Sequence, residues 1–197
     1  MTQKAFFTRE AIVGAAFALT REKGWQAVTA RNVAKKMGSS TMPIYSSLSS
    51  MEEIEAEVRA RAEALLLEYQ GRDFGGGGSL DMAIGYVTFA RDERRLFRFL
   101  YIDRPLQGAR GSRPRQGKRP LTSAEQFMTG TAPVALADQV PTALEDPRIL
   151  KSWIFTHGLA SLVSGGVLEL PDQRIRELLM EAGAAFFNEI VTGGKER

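Results

Sequence analysis

The side chains with the most specific spacing lie between residues 29 and 54. Residues 40–47 read Ser40, Thr41, Met42, Pro43, Ile44, Tyr45, Ser46 and Ser47, with no charge among them. Before them, Thr29 to Met37 has the pattern of a short helix, and Gly38-Ser39-Ser40 separates the two. Two short helices joined by such a corner have the spacing of a helix-turn-helix. Gly38 supplies the left-handed backbone that the tight corner needs. Small side chains let the start of the second helix approach base edges in the major groove of a DNA duplex. The chemistry expected here is hydrogen bonding and apolar contact rather than bond making.

Other chemistries find little support. The chain has no cysteine, which excludes a disulfide framework, a thiolate zinc site and a cysteine nucleophile. His157 is the only histidine, and one histidine does not build a metal site. No paired carboxylates and no nucleophile–base spacing emerge. The glycine run Gly75 to Gly78 lacks the Lys-Ser/Thr of a phosphate-binding loop. No catalytic residue, metal or cofactor is expected, and the chain is read as a non-enzyme. The competing reading is an all-helical small-molecule carrier or enzyme without DNA-binding activity.

Charge is laid out unevenly. The net of +3 over 197 residues divides into +5 for residues 1–50, −3 for 51–102, +5 for 103–120 and −4 for 121–197. A basic module therefore precedes a mildly acidic body, and a basic module is what a phosphate backbone attracts. The apolar fraction of 44% is enough for a packed core. The first residues, Met1-Thr2-Gln3-Lys4, do not resemble a secretory signal. The longest uncharged run, Ser152 to Leu168, is short for a bilayer and reads as a buried helix. The expected setting is cytoplasmic, with no membrane partner.

Turn and cap signals divide the chain into helices, and no useful stretch alternates as a strand would. Thr8 caps a first helix through Lys23, with Ile12, Ala16 and Leu19 as its stripe and Gly24 as its stop. Thr29 caps the second, with Val33, Ala34 and Met37 inward, and Ser40 caps a third to about Leu48. Ser50-x-x-Glu53 has the form of a capping box opening a fourth helix, whose stripe is Ile54, Val58, Leu65 and Tyr69 up to Gly71. After the glycines, Ser79 restarts the pattern through Met82, Tyr86, Phe89 and Ala90, and it resumes at Leu96, Phe97, Leu100 and Tyr101. Residues 103–120, rich in Gly, Pro and Arg, read as a mobile basic loop. A helix is expected over Leu121–Val140, a long buried one over Arg148–Leu170, and a last one from Pro171 to Gly193. The expectation is an all-α chain of nine to ten helices. Residues 1–50 would bind DNA, and residues 51–197 would bind an effector and dimerise, with 51–71 as the connecting helix.

The stretch from Gly38 to Ile54, with Ala18-Leu19 to Gly24, Val28-Thr29 and Val33-Ala34 upstream, resembles the DNA-binding segment of the TetR-type repressors over about residues 8–56. The resemblance implies phosphate contacts from Thr29 and from the Tyr45 hydroxyl. It implies that Arg31 reads guanine, consistent with the fit of guanidinium to O6 and N7. Thr41 and Met42 would face bases, Met42 against a thymine methyl, with Ser40, Ser46 and Ser47 on the same short helix. Two positions depart from the family pattern. Met51 stands where a lysine is usual, and Pro43 replaces a residue that often donates a hydrogen bond. Both losses weaken the salt-dependent part of binding. Lys4, Lys35, Lys36 or the basic loop would have to compensate.

Later segments resemble the family more loosely, at Phe89-Ala90-Arg91, at Leu96 to Leu100, and from Trp153 to Gly166. The resemblance implies a four-helix dimer interface from the last two long helices, here Leu159, Leu162, Val163, Leu178, Leu179, Ala182 and Phe186. It also implies a pocket for a largely apolar small-molecule effector, for which Tyr86, Phe89, Phe97, Tyr101, Phe127, Met128, Trp153 and His157 are the candidates. The implied function is a homodimeric repressor released from a palindromic double-stranded operator by its effector.

Overall fold

The computed structural model describes residues 8–42, 44, 50–103 and 146–187. Seven α-helices and no strand occur among the described residues. They form two compact units, one of residues 1–65 and 93–105 and the other of 66–92 and 106–197.

In the first unit, α1 (Arg9–Lys23) begins where the Thr8 hydroxyl accepts from the Ala11 N–H at 3.2 Å. It ends at Gly24, whose φ of 84° and N–H bond to the Thr20 carbonyl close the last turn. A single 3₁₀ turn, Trp25–Ala27, leads to α2 (Ala30–Lys36), capped by Thr29 on the Asn32 N–H. The long α3 (Met51–Gln70) opens with the Ser50 hydroxyl accepting from Glu53 N–H at 3.3 Å. Its first part belongs to this unit and its last turn to the second. Later in the chain α5 (Arg94–Tyr101) packs on α1. Ile12, Val13, Ala16, Val33, Ala34, Ile54, Val58, Leu96 and Phe97 are almost wholly buried and make the core of this unit. Full burial of each larger aliphatic chain contributes about 1.5–3 kcal/mol. The inward stripe of α3 runs Ile54, Val58, Ala62, Leu66. The expected Leu65 is only half-buried: from Ile54 the buried positions advance by fours, and Leu66 rather than Leu65 continues that row.

The second unit is built around α4 (Gly78–Asp92), which packs against both α6 (Pro147–Ser164) and α7 (Asp172–Phe187). Every residue of α4 from Ala83 to Ala90 is buried, as a helix enclosed on several sides requires. Gly85 lets α4 meet the end of α3. A Cβ there would lie 2.3 Å from the Tyr69 carbonyl oxygen. The glycine run before α4 is a tight loop whose Gly76 and Gly77 N–H groups both donate to the Asp81 carboxylate at 2.9 Å. The Arg176 guanidinium donates to the carbonyls of Phe74 and Gly75 beside it.

One long element is shorter than its hydropathy predicts. The expected helix Arg148–Leu170 stops at Ser164, because Gly165 caps it and Gly166 turns to φ 73°. Val167, Leu168 and Leu170 are apolar but lie outside any helix, and Val167 is 71% exposed. The helix expected over Leu121–Val140, the loop over 104–120 and the end of the last helix at Gly193 lie outside the described residues.

Candidate functional site

The first unit offers a surface set on a well-packed frame. Thr20 turns its hydroxyl inward to the Ala16 carbonyl at 2.9 Å. Next to it Arg21 reaches the carboxylate of Glu93 with two nitrogens, Nε at 2.7 Å from Oε2 and a second contact to Oε1. The Glu93 side chain is 5% exposed and sits in the break between α4 and α5, so this pair holds α1 against α5. Trp25 packs its ring 5.1 Å from that of Phe99, and the Arg59 guanidinium lies 4.6 Å over the same ring. Arg9 pairs with Glu53 and Glu57, and Arg61 with Glu10, fastening α1 to α3. Asn32 ties the start of α2 to the preceding turn through the Ala27 carbonyl, 2.8 Å away.

What this frame leaves outside is the predicted set. Thr29, Arg31, Lys36, Ser40, Thr41 and Met42 are all exposed, Met42 to 77%. The corner between the two short helices is closed by Gly38 N–H on the Lys35 carbonyl and Ser39 N–H on the Ala34 carbonyl, with Gly38 at φ 65°. Beyond it Met42 and Ile44 are helical, and Ile44, 2% exposed, anchors this segment from beneath. Met42 therefore projects from a fixed base. Pro43, Tyr45, Ser46 and Ser47 lie outside the described residues.

The basic side chains here are not equivalent. Lys36 Nζ is 2.7 Å from the Glu22 carboxylate, and this hydrogen bond holds that carboxyl below its ordinary range. Arg31 and Lys35, one helical turn apart on α2, make no ion pair with any described residue. Lys36, which sequence reasoning placed among the DNA contacts, is thus engaged by Glu22, while Lys35 makes no ion pair among the described residues. The partner of Lys36 is 14 residues away, a separation that sequence spacing does not decode. Thr29 accepts the Asn32 N–H at its oxygen and keeps its own proton to donate.

The candidates for an effector pocket divide between the units. Phe97 and Tyr101 belong to the first, with ring centres 5.1 Å apart. Tyr86, Phe89, Trp153 and His157 belong to the second. There the Tyr86 hydroxyl is 2.9 Å from His157 Nδ1, and the His157 ring stacks on Trp153 at 5.1 Å and 8°. Burial pushes the His157 pKa down, so the ring is neutral near pH 7. Phe89 meets Tyr69 edge to face and is fully buried. Phe127 and Met128 lie outside the described residues. Sequence reasoning passed over Gln70, a buried residue at the end of α3 whose two amide atoms have no hydrogen-bond partner among the described residues. No sequence signal marks it. No group of metal-ligating side chains occurs among the described residues.

Of the dimer candidates, Leu159, Val163 and Leu179 are buried within the unit, Leu178, Ala182 and Phe186 are half-buried, and Leu162 is 44% exposed. A separate outward stripe runs along α6 at Leu150, Ile154, Gly158 and Leu162, and another along α7 at Met180, Ala184 and Phe187.

The architecture has a solved counterpart. It is the crystal structure of a TetR-like transcriptional regulator from Rhodococcus sp. RHA1, matched over 93% of this chain and 96% of that one with a TM-score of 0.51. The chain has the fold of a TetR-like regulator. Sequence identity to that structure is 13%, so the likeness is one of fold. No protein-family model matches the sequence, and no curated protein matches it. The TetR-like fold agrees with the all-α expectation, and no described helix is long and apolar enough to cross a membrane.

Proposed function

We propose that this chain is a sequence-specific, DNA-binding transcription regulator, acting as a homodimer on a palindromic duplex and released by a small-molecule effector. The observation that carries the reading is the exposure of Ser40, Thr41 and Met42 directly after the Gly38 corner, on a segment pinned by the buried Ile44. A side chain as apolar as Met42 is costly to present to water without a use, and a thymine methyl is an apt partner for it. Arg31 and Lys35, which make no ion pair among the described residues, flank it with positive charge, and Thr29 retains a donor for phosphate. Residues 1–50 are the DNA-binding part and 51–197 the effector-binding and dimerisation part.

The dimer reading is supported by the outward stripes of α6 and α7. Leu150, Ile154 and Leu162 stand at four-residue multiples, with Gly158 between them leaving room for close approach. Leu159, Val163 and Leu179 stand behind this surface as its support. Two recognition helices related by a dyad would enter successive major grooves roughly 34–36 Å apart. An effector that binds better to a conformation with another spacing would release DNA by that difference in affinity. The Tyr86–His157–Trp153 cluster is the candidate effector site, and the working compartment is the cytoplasm. The test is a mobility shift on duplexes from upstream of the protein's own gene, at two salt concentrations. A retarded band that a palindrome-bearing competitor removes, and a scrambled one does not, is expected. No sequence-dependent retardation at either salt concentration would refute the reading.

A further inference from the structure

Ion pairs in the first unit mostly fasten its frame. Arg21–Glu93 joins α1 to α5, and the pairs of Arg9 and Arg61 join α1 to α3. Lys36–Glu22 differs in where it reaches. It runs from the last turn of α1 to the last turn of α2, the first helix of the helix-turn-helix. Lys36 Nζ donates to Glu22 Oε1 at 2.7 Å, a charge-assisted hydrogen bond. The Glu22 side chain is 52% exposed, against 5% for Glu93. Exposed pairs contribute little to stability, so this carboxylate is held loosely enough to be displaced, whereas the buried Glu93 is not. The Lys36 hydrogen bond is the main cause of the lowered Glu22 pKa, so the carboxyl is an anion near pH 7. Lys36 stands two residues before the Gly38 corner, beside the exposed Lys35.

We infer that Glu22 is an intramolecular stand-in for a backbone phosphate, which occupies the Lys36 ammonium and must give way before Lys36 can hold DNA. This rests on the DNA-binding reading above. The first helix of a helix-turn-helix crosses the phosphate backbone, and Lys36 ends that helix. An ammonium that already carries a carboxylate brings no net charge to a phosphate. The released carboxylate gathers a cation as the DNA gives one up. Glu22 therefore subtracts one neutralised phosphate per subunit from the salt-dependent part of binding. Phosphate contacts carry no sequence information, so what Glu22 subtracts is affinity for any duplex. The base contacts proposed for Arg31, Thr41 and Met42 then form a larger share of what remains. A positioning role for the pair, holding α2 on α1, predicts the opposite sign, since loss of Glu22 would then weaken binding.

Fluorescence anisotropy of the full chain on labelled duplexes, at about 50 and about 200 mM salt, tests this. One duplex comes from upstream of the protein's own gene, and the other is its scrambled counterpart. Glu22→Gln keeps the shape of the side chain and removes its charge. It should tighten binding to both duplexes by the same factor at the lower salt, and steepen the salt dependence by about 0.9 per subunit. For the proposed dimer, the rise in salt should then cost the variant roughly tenfold more affinity than it costs the wild type. In a Lys36→Met chain the same substitution should have no effect, because the gain passes through the ammonium. Weaker binding by Glu22→Gln, or an unchanged salt dependence, overturns the inference. So does a gain confined to the upstream duplex, and so does a gain that persists in Lys36→Met. If the wild type binds neither duplex at either salt concentration, the DNA-binding reading fails and this inference with it.

Discussion

Arg31 and Lys36 illustrate how much a single neighbour decides. Both are exposed and basic on the same short helix, yet Lys36 is held by Glu22 while Arg31 makes no ion pair among the described residues. A guanidinium free to form two parallel hydrogen bonds is the better reader of guanine. Arg31→Ala should cost about 1–3 kcal/mol on the preferred duplex and little on a scrambled one, measured by fluorescence anisotropy. Equal losses on both would make Arg31 a phosphate contact instead. His157 carries a second prediction at this scale. Its pKa in the folded chain lies below that of the unfolded ring, near 6.5, so the unfolded chain takes up more protons around and below that pH. Stability is therefore fully present above about pH 6.5 and declines as pH falls through it. Urea melts between about pH 5 and 7.5 should show this slope in the wild type and a flatter one in His157→Phe. Asp146 acts in a separate acid window. Its carboxyl, bonded by the Arg148 side chain and by the backbone at the start of α6, is held down to about 2, so its contribution is lost as pH falls from 3.8 toward that value.

At the scale of elements, what was legible in the sequence was what is local. Thr8, Thr29 and Ser50 cap helices as read, because a cap involves residues only three apart. The stripes Ile12-Ala16-Leu19 and Val33-Ala34 are buried as read, because they follow the helical period. The end of α6 was misjudged where hydropathy and turn chemistry disagreed, and Gly165-Gly166 prevailed over Val167 and Leu168. The Arg21–Glu93 pair spans 72 residues, and the close approach of α4 to α3 depends on a glycine facing a carbonyl from another helix. Neither leaves a mark in local pattern. Gly85 therefore supplies the clearest element-scale prediction. Alanine improves helix propensity by about 0.5–1 kcal/mol, but its methyl would meet the Tyr69 backbone, which cannot swing aside as a side chain can. Gly85→Ala should lower unfolding stability by about 1–3 kcal/mol net in denaturant melts. A stabilised variant would mean that α3 and α4 do not pack as closely as described.

The whole molecule joins a basic N-terminal segment, net +5 over residues 1–50, to a helical body whose last two helices keep apolar stripes outward. Its fold is that of a TetR-like regulator, while its sequence is far from the solved example. The fold was legible because period and caps survive sequence divergence. The site was legible only as far as the exposed residues before Pro43. The central claim is that two copies of this chain read a symmetric duplex through Arg31, Thr41 and Met42. Selection from a pool of random-sequence duplexes, with the full chain as bait, tests that most directly. The account predicts enrichment of an inverted repeat with half-sites about one helical turn apart, and loss of preference at one position per half-site with Arg31→Ala. Recovery of duplexes without a shared motif, or of a single unrepeated site, would contradict it.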